Sequence, residues 1–254
     1  MKLALYSDLH LEIAAWQPPP LDVDLVILAG DIGSHTHGIE WAGQAFRQAP
    51  VSPDIVYVAG NHEYYDTHLG LLPELEKAGK KHGVHFLEKR AIELPGVRIL
   101  GCTLWTAFDL YGVDAIEICM RICKNRINDF WSIDVRQGKR LDPNDVRRLH
   151  RAAAAWLGAE LSKPFDGKTI VVTHFSPHPG TIAPQHQDGD VTSYFVTDLS
   201  GLMQKYLIDL WCFGHSHANA NFIAENGCHV VSNQRGYPGE VAGNGFREDW
   251  MVEL

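Results

Sequence analysis

The stretch Asp24-Leu25-Val26-Ile27-Leu28-Ala29-Gly30-Asp31 decides the fold. Its apolar run is too short for a helix and reads as a strand buried on both faces. The run then stops on a glycine and a carboxylate. The same pattern recurs along the chain. Lys2–Ser7 leads into Asp8-Leu9-His10, and Ile55–Ala59 into Gly60-Asn61-His62-Glu63. Thr169–Thr173 leads into His174, and Leu210–Phe213 into Gly214-His215-Ser216-His217. Helical stretches are expected between these strands, at Gly38–Gln48, His68–His82 and Asp142–Leu161. The last has Asp142 as N-cap, Pro143 at the first helical position, and Val146, Leu149, Ala153, Trp156, Leu157 and Leu161 along one face. Strand and helix in alternation imply α/β architecture. Towards the end, Ala220–Ala224, His229–Ser232 and Trp250–Leu254 read as strands joined by short turns, and so as antiparallel pairs. Phe108–Gly138 fits no clean period and reads as an excursion from the sheet, a lid on a single domain spanning 1–254.

Composition narrows the partners. The 254 residues contain 22 Lys and Arg against 31 Asp and Glu, a formal net charge of −9. Such a chain is not expected to bind nucleic acid or anionic membrane by bulk charge. No apolar run is long enough for a membrane span, and the first residues lack a signal-peptide core, so a cytoplasmic location is expected. The cysteines number 5, an odd count with no C-x-x-C pair, which fits reduced thiols. Cys119 and Cys123, four apart on an apparent helix, have no second pair to complete a zinc site. The 14 histidines are the unusual feature, because imidazole is both a metal ligand and an acid–base group.

The polar residues that end the strands account for several of them. In α/β sheets, ligands bind just beyond the carboxyl ends of the strands. Asp8, His10, Asp31, Asn61, His62, His174, His215 and His217 all stand there. Asp8 and His10, like His215 and His217, are two apart, and strand alternation is expected to point each pair the same way. Gly30, Gly60 and Gly214 leave room for tight turns and a bound ion. Oxygen and nitrogen donors without thiolate suit Mn, Fe, Zn, Co or Ni. The set exceeds the needs of one four-coordinate ion, which argues for two metals sharing a carboxylate.

In this order, Asp8-x-His10, Gly30-Asp31, Gly60-Asn61-His62-Glu63, His174 and Gly214-His215-x-His217 resemble the calcineurin-like metallophosphoesterases. The resemblance implies a four-layer αββα sandwich with mixed sheets and the metal site at the strand ends. It implies that Asp8, His10, Asp31 and His217 hold a first ion, and that Asp31 bridges to a second held by Asn61, His174 and His215. The ions are Mn, Fe or Zn, divalent or mixed in valence. His62 is implied as the general acid, assisting in-line attack by a hydroxide bridging the metals. A carboxylate partner is expected for His62, with Glu63 and Asp66 the nearest in sequence. The Asp-Arg-Gly element of the protein phosphatases in this superfamily is missing after Asp31, and the charge and length argue against its nuclease branch. A small phosphate mono- or diester is therefore the expected substrate. Phosphotriesters, phosphonate esters and nucleotide pyrophosphates would suit the same site, and a non-catalytic metal-binding scaffold is the reading from another class. His178 and Arg235 are candidate substrate contacts, though each also reads as a plain loop residue. Arg126, Phe130 and Trp131 read either as a stacking wall or as core of the lid. Sequence leaves the oligomeric state open.

Overall fold

The structure is a computed structural model describing residues 1–46, 52–183, 186–187 and 189–254. Its strands in chain order begin with β1 (Lys2–Tyr6), β2 (Leu25–Ala29), β3 (Asp54–Val58), β4 (Thr67–His68), β5 (His85–Phe86), β6 (Arg90–Leu94) and β7 (Val97–Cys102). They continue with β8 (Ile133–Arg136), β9 (Lys139–Arg140), β10 (Lys168–Thr173), β11 (Leu210–Phe213), β12 (Asn221–Ile223), β13 (His229–Ser232) and β14 (Met251–Glu253). One sheet runs β14-β1-β2-β3-β5, a second β12-β13-β11-β10-β7-β6, and a small third β4-β8-β9. In the two large sheets the site-bearing strands run parallel to their site-bearing neighbours: β1 with β2, β2 with β3, and β10 with β11.

Residue alternation along these strands explains the layers. Leu3, Leu5, Leu25, Ile27, Val56 and Val58 of the first sheet share one buried cluster with Ile99, Ile170, Val172, Leu210, Cys212 and Val231 of the second. The intervening residues Tyr6, Val26, Leu28, Tyr57, Val171 and Trp211 face outward into another cluster, which takes in helix residues Ile39, Ala42, Leu75, Val146, Ala153 and Leu157. Strands apolar on both faces thus give two stacked sheets with helices outside, and the expected αββα order is found.

The helices are α1 (His37–Ala45), α2 (Leu72–His82), α3 (Ile116–Lys124), α4 (Asp129–Ser132), α5 (Pro143–Leu161), α6 (Thr192–Phe195) and α7 (Ser200–Lys205). At α5 the Asp142 side chain accepts from the Asn144 and Asp145 amides at 2.8 and 3.1 Å, and Pro143 opens the helix as expected. The helix expected over Gly38–Gln48 is α1; its last two expected positions lie outside the described residues. The helix expected over His68–His82 starts later. Leu69–Leu71 is a 3-10 turn, and α2 begins beside Pro73, whose ring opposes helix on its N-terminal side. The tail also departs from expectation. β12 and β13 are antiparallel, but β13 lies parallel to β11, and β14 crosses to the other sheet to pair with β1. The chain from 233 to 250 therefore passes over the strand ends before it returns.

The excursion at 108–138 is ordered structure. α3 buries Ile116, Cys119, Met120 and Cys123 on one face, so the cysteine pair is core. Phe130 is buried and packs edge-on to Tyr194, whereas Trp131 is exposed, so no stacking wall forms. Among the described residues, no helix is long and apolar enough to cross a membrane.

Candidate metal centre

Both large sheets present their carboxyl ends to the same place, and backbone bonds knit neighbouring strand ends within each sheet. The Asp8 amide donates to the Gly30 carbonyl at 3.0 Å, and the Gly214 amide to the His174 carbonyl at 2.9 Å. The His215 amide crosses between sheets to Asp8 Oδ1 at 3.0 Å. Asp8, His10 and His217 form one group of side chains close enough to share an ion. Asp31, His174 and His215 form another, and His10, Asp31 and His62 a third that overlaps both. These groups contain no cysteine. Asn61 joins the second group, its Oδ1 3.0 Å from His174 Nε2. All seven residues expected as ligands, with His62, are thus brought to one place.

Strand alternation is not what aligns them. Asp8, His10, Asp31, His215 and His217 all lie past the strand ends with φ of 53, 46, 54, 77 and 52°. Left-handed backbone costs about 1 kcal/mol or more per residue, and its clustering here marks a site the surrounding fold holds in place. The glycines serve close approach. A Cβ on Gly60 would run into Asp31 Oδ1, one on Gly30 into the His174 ring, and one on Gly214 would lie 2.6 Å from Asp8 Oδ2.

The donor chemistry fits cations. His10 Nδ1 lies 3.0 Å from Glu12 Oε1, and His217 Nδ1 lies 2.6 Å from Glu240 Oε2. Each carboxylate takes the Nδ1–H, which leaves the Nε2 lone pairs of His10 and His217 facing each other at 3.0 Å. His174 Nδ1–H donates to the Ala29 carbonyl at 2.9 Å, which turns its Nε2 lone pair toward Asn61 Oδ1 and toward Asp31 Oδ2 at 3.3 Å. Asn61 Nδ2 donates to buried Asp129 at 3.0 Å, and this fixes which end of the amide looks inward. His215 Nε2 is buried with no hydrogen-bond partner. Lone pairs converging on lone pairs, beside an orphaned imidazole nitrogen, are what a positive ion would satisfy.

The protein's own charges show the same demand. Burial works to raise the Asp31 carboxyl, but His174 and His62 outweigh it and hold it well below the usual carboxylate range. Burial likewise opposes charge on His174 and His217, yet Asp31 lifts the first and Asp8 the second to about 9, so a proton competes with a cation for each Nε2 lone pair. His215, buried and beside His174, is pushed well below its ordinary value.

His62 lines a cleft of ≈ 440 Å³ whose floor includes Asp31, Asn61, His215 and His217. Its amide donates to Asp31 Oδ1 at 2.8 Å and its ring stacks on Tyr65 at 4.0 Å. Its carboxylate partner is Glu12, whose Oε1 sits 3.0 Å from His62 Nδ1. Burial works against protonation of His62, but Asp31 and Glu12 raise it to about 9. Glu12 itself, despite its burial, is lowered to about 2 by His10 and His62. Neither Glu63 nor Asp66 takes the expected role. Glu63 points away from His62 and accepts from the Asp31, Ile32 and Gly60 amides and from Tyr57, tying two ligand loops together.

The two candidate substrate contacts have other partners. His178 Nδ1 accepts from the Gly180 amide at 2.8 Å and its Nε2 lies 3.1 Å from Glu225, away from the cleft lining. Arg235 donates to the Leu9 and Ala14 carbonyls, both at 3.0 Å, clamping the loop that carries Asp8, His10 and Glu12. Sequence reasoning missed Glu12, Asp129 and Glu240. Glu12 carried a signal, two residues past His10; Asp129 and Glu240 reach the site only through the fold.

The chain is similar to several known proteins. An uncharacterized protein of Acanthamoeba polyphaga mimivirus is 25% identical, with 94% of this chain and 93% of that protein covered. Phosphopantetheinyl hydrolase from Mycobacterium tuberculosis shares the fold at a TM-score of 0.74 and 19% identity, with 100% of this chain and 95% of that one covered. A dimetal phosphatase from Danio rerio has a TM-score of 0.51 at 14% identity, covering 91% of this chain and 86% of that one. The calcineurin-like phosphoesterase family matches residues 1–219, and the chain belongs to that family.

Proposed function

We propose that the chain is a dinuclear metal-dependent phosphoesterase hydrolysing small phosphate mono- or diesters. The convergence of two lone-pair clusters, Asp8–His10–His217 and Asp31–His174–His215, which reach the floor of one cleft through His217, Asp31 and His215, carries this reading. Asp31 belongs to two of the overlapping groups and would be the shared ligand. Carboxylate, amide and imidazole donors suit Mn, Fe or Zn. A pair of such ions, when bound, supplies charge neutralisation at phosphate oxygens and activation of water at neutral pH.

The remaining chemistry belongs to side chains. Glu12 holds His62 by Nδ1 and favours its protonated form against the field of nearby cations. The His62 ring, on the cleft wall, then gives its proton to the departing alkoxide, a contribution worth about 10²–10⁴-fold in rate. Asp129 and the Ala29 carbonyl hold Asn61 and His174 in their inward orientations. Because the fold is shared with a phosphopantetheinyl hydrolase, phosphopantetheinyl esters are worth including in the screen.

Purified protein assayed with Mn²⁺ on p-nitrophenyl phosphate and its bis ester tests the proposal. Hydrolysis should cease with a chelator and return with metal. His62→Ala should keep its metal content while turnover falls about 10²–10⁴-fold. Absence of hydrolysis with every divalent ion tried would refute the assignment.

A further inference from the structure

The cleft extends well beyond the metal centre, and its far side has a different character. Ile127, from the loop between α3 and α4, faces Ile182, after β10, and Val191 and Phe195, which flank and close α6. All four are partly exposed, so their apolar surface is open to a ligand. Phe195 stacks on His215 at 4.8 Å, which makes the apolar wall continuous with the metal floor. Hydroxyl groups on that side are already engaged. Thr181 donates to the His178 carbonyl, Thr192 to the His186 carbonyl and Tyr194 to Asp129.

Charge is equally sparse there. Among the described residues lining the cleft, Arg126 is the one ammonium or guanidinium group, and it lies at an exposed rim 2.7 Å from Asp190. Positive charge for a phosphate is thus concentrated where the ions would bind; among the described residues the far side adds only the paired Arg126 and the side chains of Asn128 and His186. At ≈ 440 Å³ the cleft falls in the size range of sites for whole organic ligands, far larger than phosphate alone requires.

Building on the phosphoesterase reading, we infer that the ester taken by this site carries a neutral, apolar alcohol, alkyl or aryl, seated against Ile127, Ile182, Val191 and Phe195. Nucleotides and pyrophosphates, with further negative charge and polar edges to satisfy, are disfavoured.

Titration calorimetry of Mn²⁺-loaded protein with n-alkylphosphonates tests this without relying on turnover. From ethyl to hexyl, Kd should fall about two- to fourfold per added methylene. Val191→Thr, which keeps the side-chain shape, and Ile182→Asn, on a partly exposed loop, should each flatten that slope. A Kd independent of chain length overturns the inference, as does ADP or pyrophosphate binding more tightly than hexylphosphonate. Hexyl phosphate is assayed in parallel for phosphate release. A steep binding series in a protein that hydrolyses neither hexyl phosphate nor the two p-nitrophenyl esters with any divalent ion supports the apolar subsite and refutes the hydrolytic reading, so the two fail separately.

Discussion

Replacing Glu63 by Gln changes one atom and tests how the ligand loops are held. Oε1 of this buried carboxylate accepts from the Ile32 amide at 3.0 Å and from Tyr57 Oη at 2.6 Å. Oε2 accepts from the Asp31 amide at 3.1 Å and the Gly60 amide at 2.6 Å. Four donors meet one acceptor group, and of them only the Tyr57 hydroxyl can also accept. In Glu63→Gln the new NH₂ is best turned toward Tyr57, whose hydroxyl can rotate to accept. The Ile32 amide is then orphaned, at about 1–3 kcal/mol, and the two remaining backbone bonds lose their charge assistance, about 1 kcal/mol each. The sum is about 3–5 kcal/mol, or a Tm lower by about 6–20 °C for a chain of this size. Burial, aided by Asp31, pushes this carboxyl up to about 7, so melting is followed near pH 8. Because Asp31 and Asn61 stand on the loops that Glu63 ties, bound metal should fall in parallel, measured by plasma emission on dialysed protein. Tyr57→Phe removes a single donor and should cost only about 1 kcal/mol. A Glu63→Gln protein with unchanged Tm and metal content would refute the cross-link.

Three further outcomes are expected. Glu12→Gln, which weakens the contacts to His10 and His62 together, should lower kcat at least about tenfold and weaken metal retention. Gly60→Ala, whose Cβ meets Asp31 Oδ1 and lies 2.7 Å from His174 Nε2, should lose metal in equilibrium dialysis while far-UV circular dichroism stays native. His150 is buried, which lowers it from 6.5, with Nδ1 3.3 Å from the Trp105 carbonyl. Its contribution to stability is complete above the unfolded value of 6.5 and is lost as pH falls through the folded value. His150→Gln should therefore show a smaller drop in Tm from about pH 7.5 to about pH 5.5 than the native chain, both melted with chelator.

The strands and their carboxyl-end residues were legible because a strand apolar on both faces leaves a plain mark in sequence. Reading Asp8, Asp31 and His174 as neighbours needed only the rule that parallel strands gather their ends. Other features left weaker marks. The β6–β7 hairpin hid because β6, Arg90–Leu94, is a polar edge strand. β14 pairs with the far end of the sequence, Ala4 with Met251 and on to Lys2 with Glu253, which no local pattern reports. The left-handed loops were misread as strand ends, since both geometries offer the same residue spacing. Asp129 fixes Asn61 from a segment without periodicity, so only packing reveals it.

The pairing of β14 with β1 also bears on timing. β1 leads directly into Asp8 and His10, yet one edge of it stays open until Met251–Glu253 arrive. A chain halted after His217 would already contain every candidate ligand and still lack Glu240, which anchors His217, and the strand that covers Lys2–Ala4. Contacts this far apart form late and slowly, so assembly of the metal centre is expected to wait for residues 240–253. In the interval the bare edge of β1 is a template for pairing with another chain. Truncation before β14 should therefore show itself first as aggregation, with loss of activity following from it.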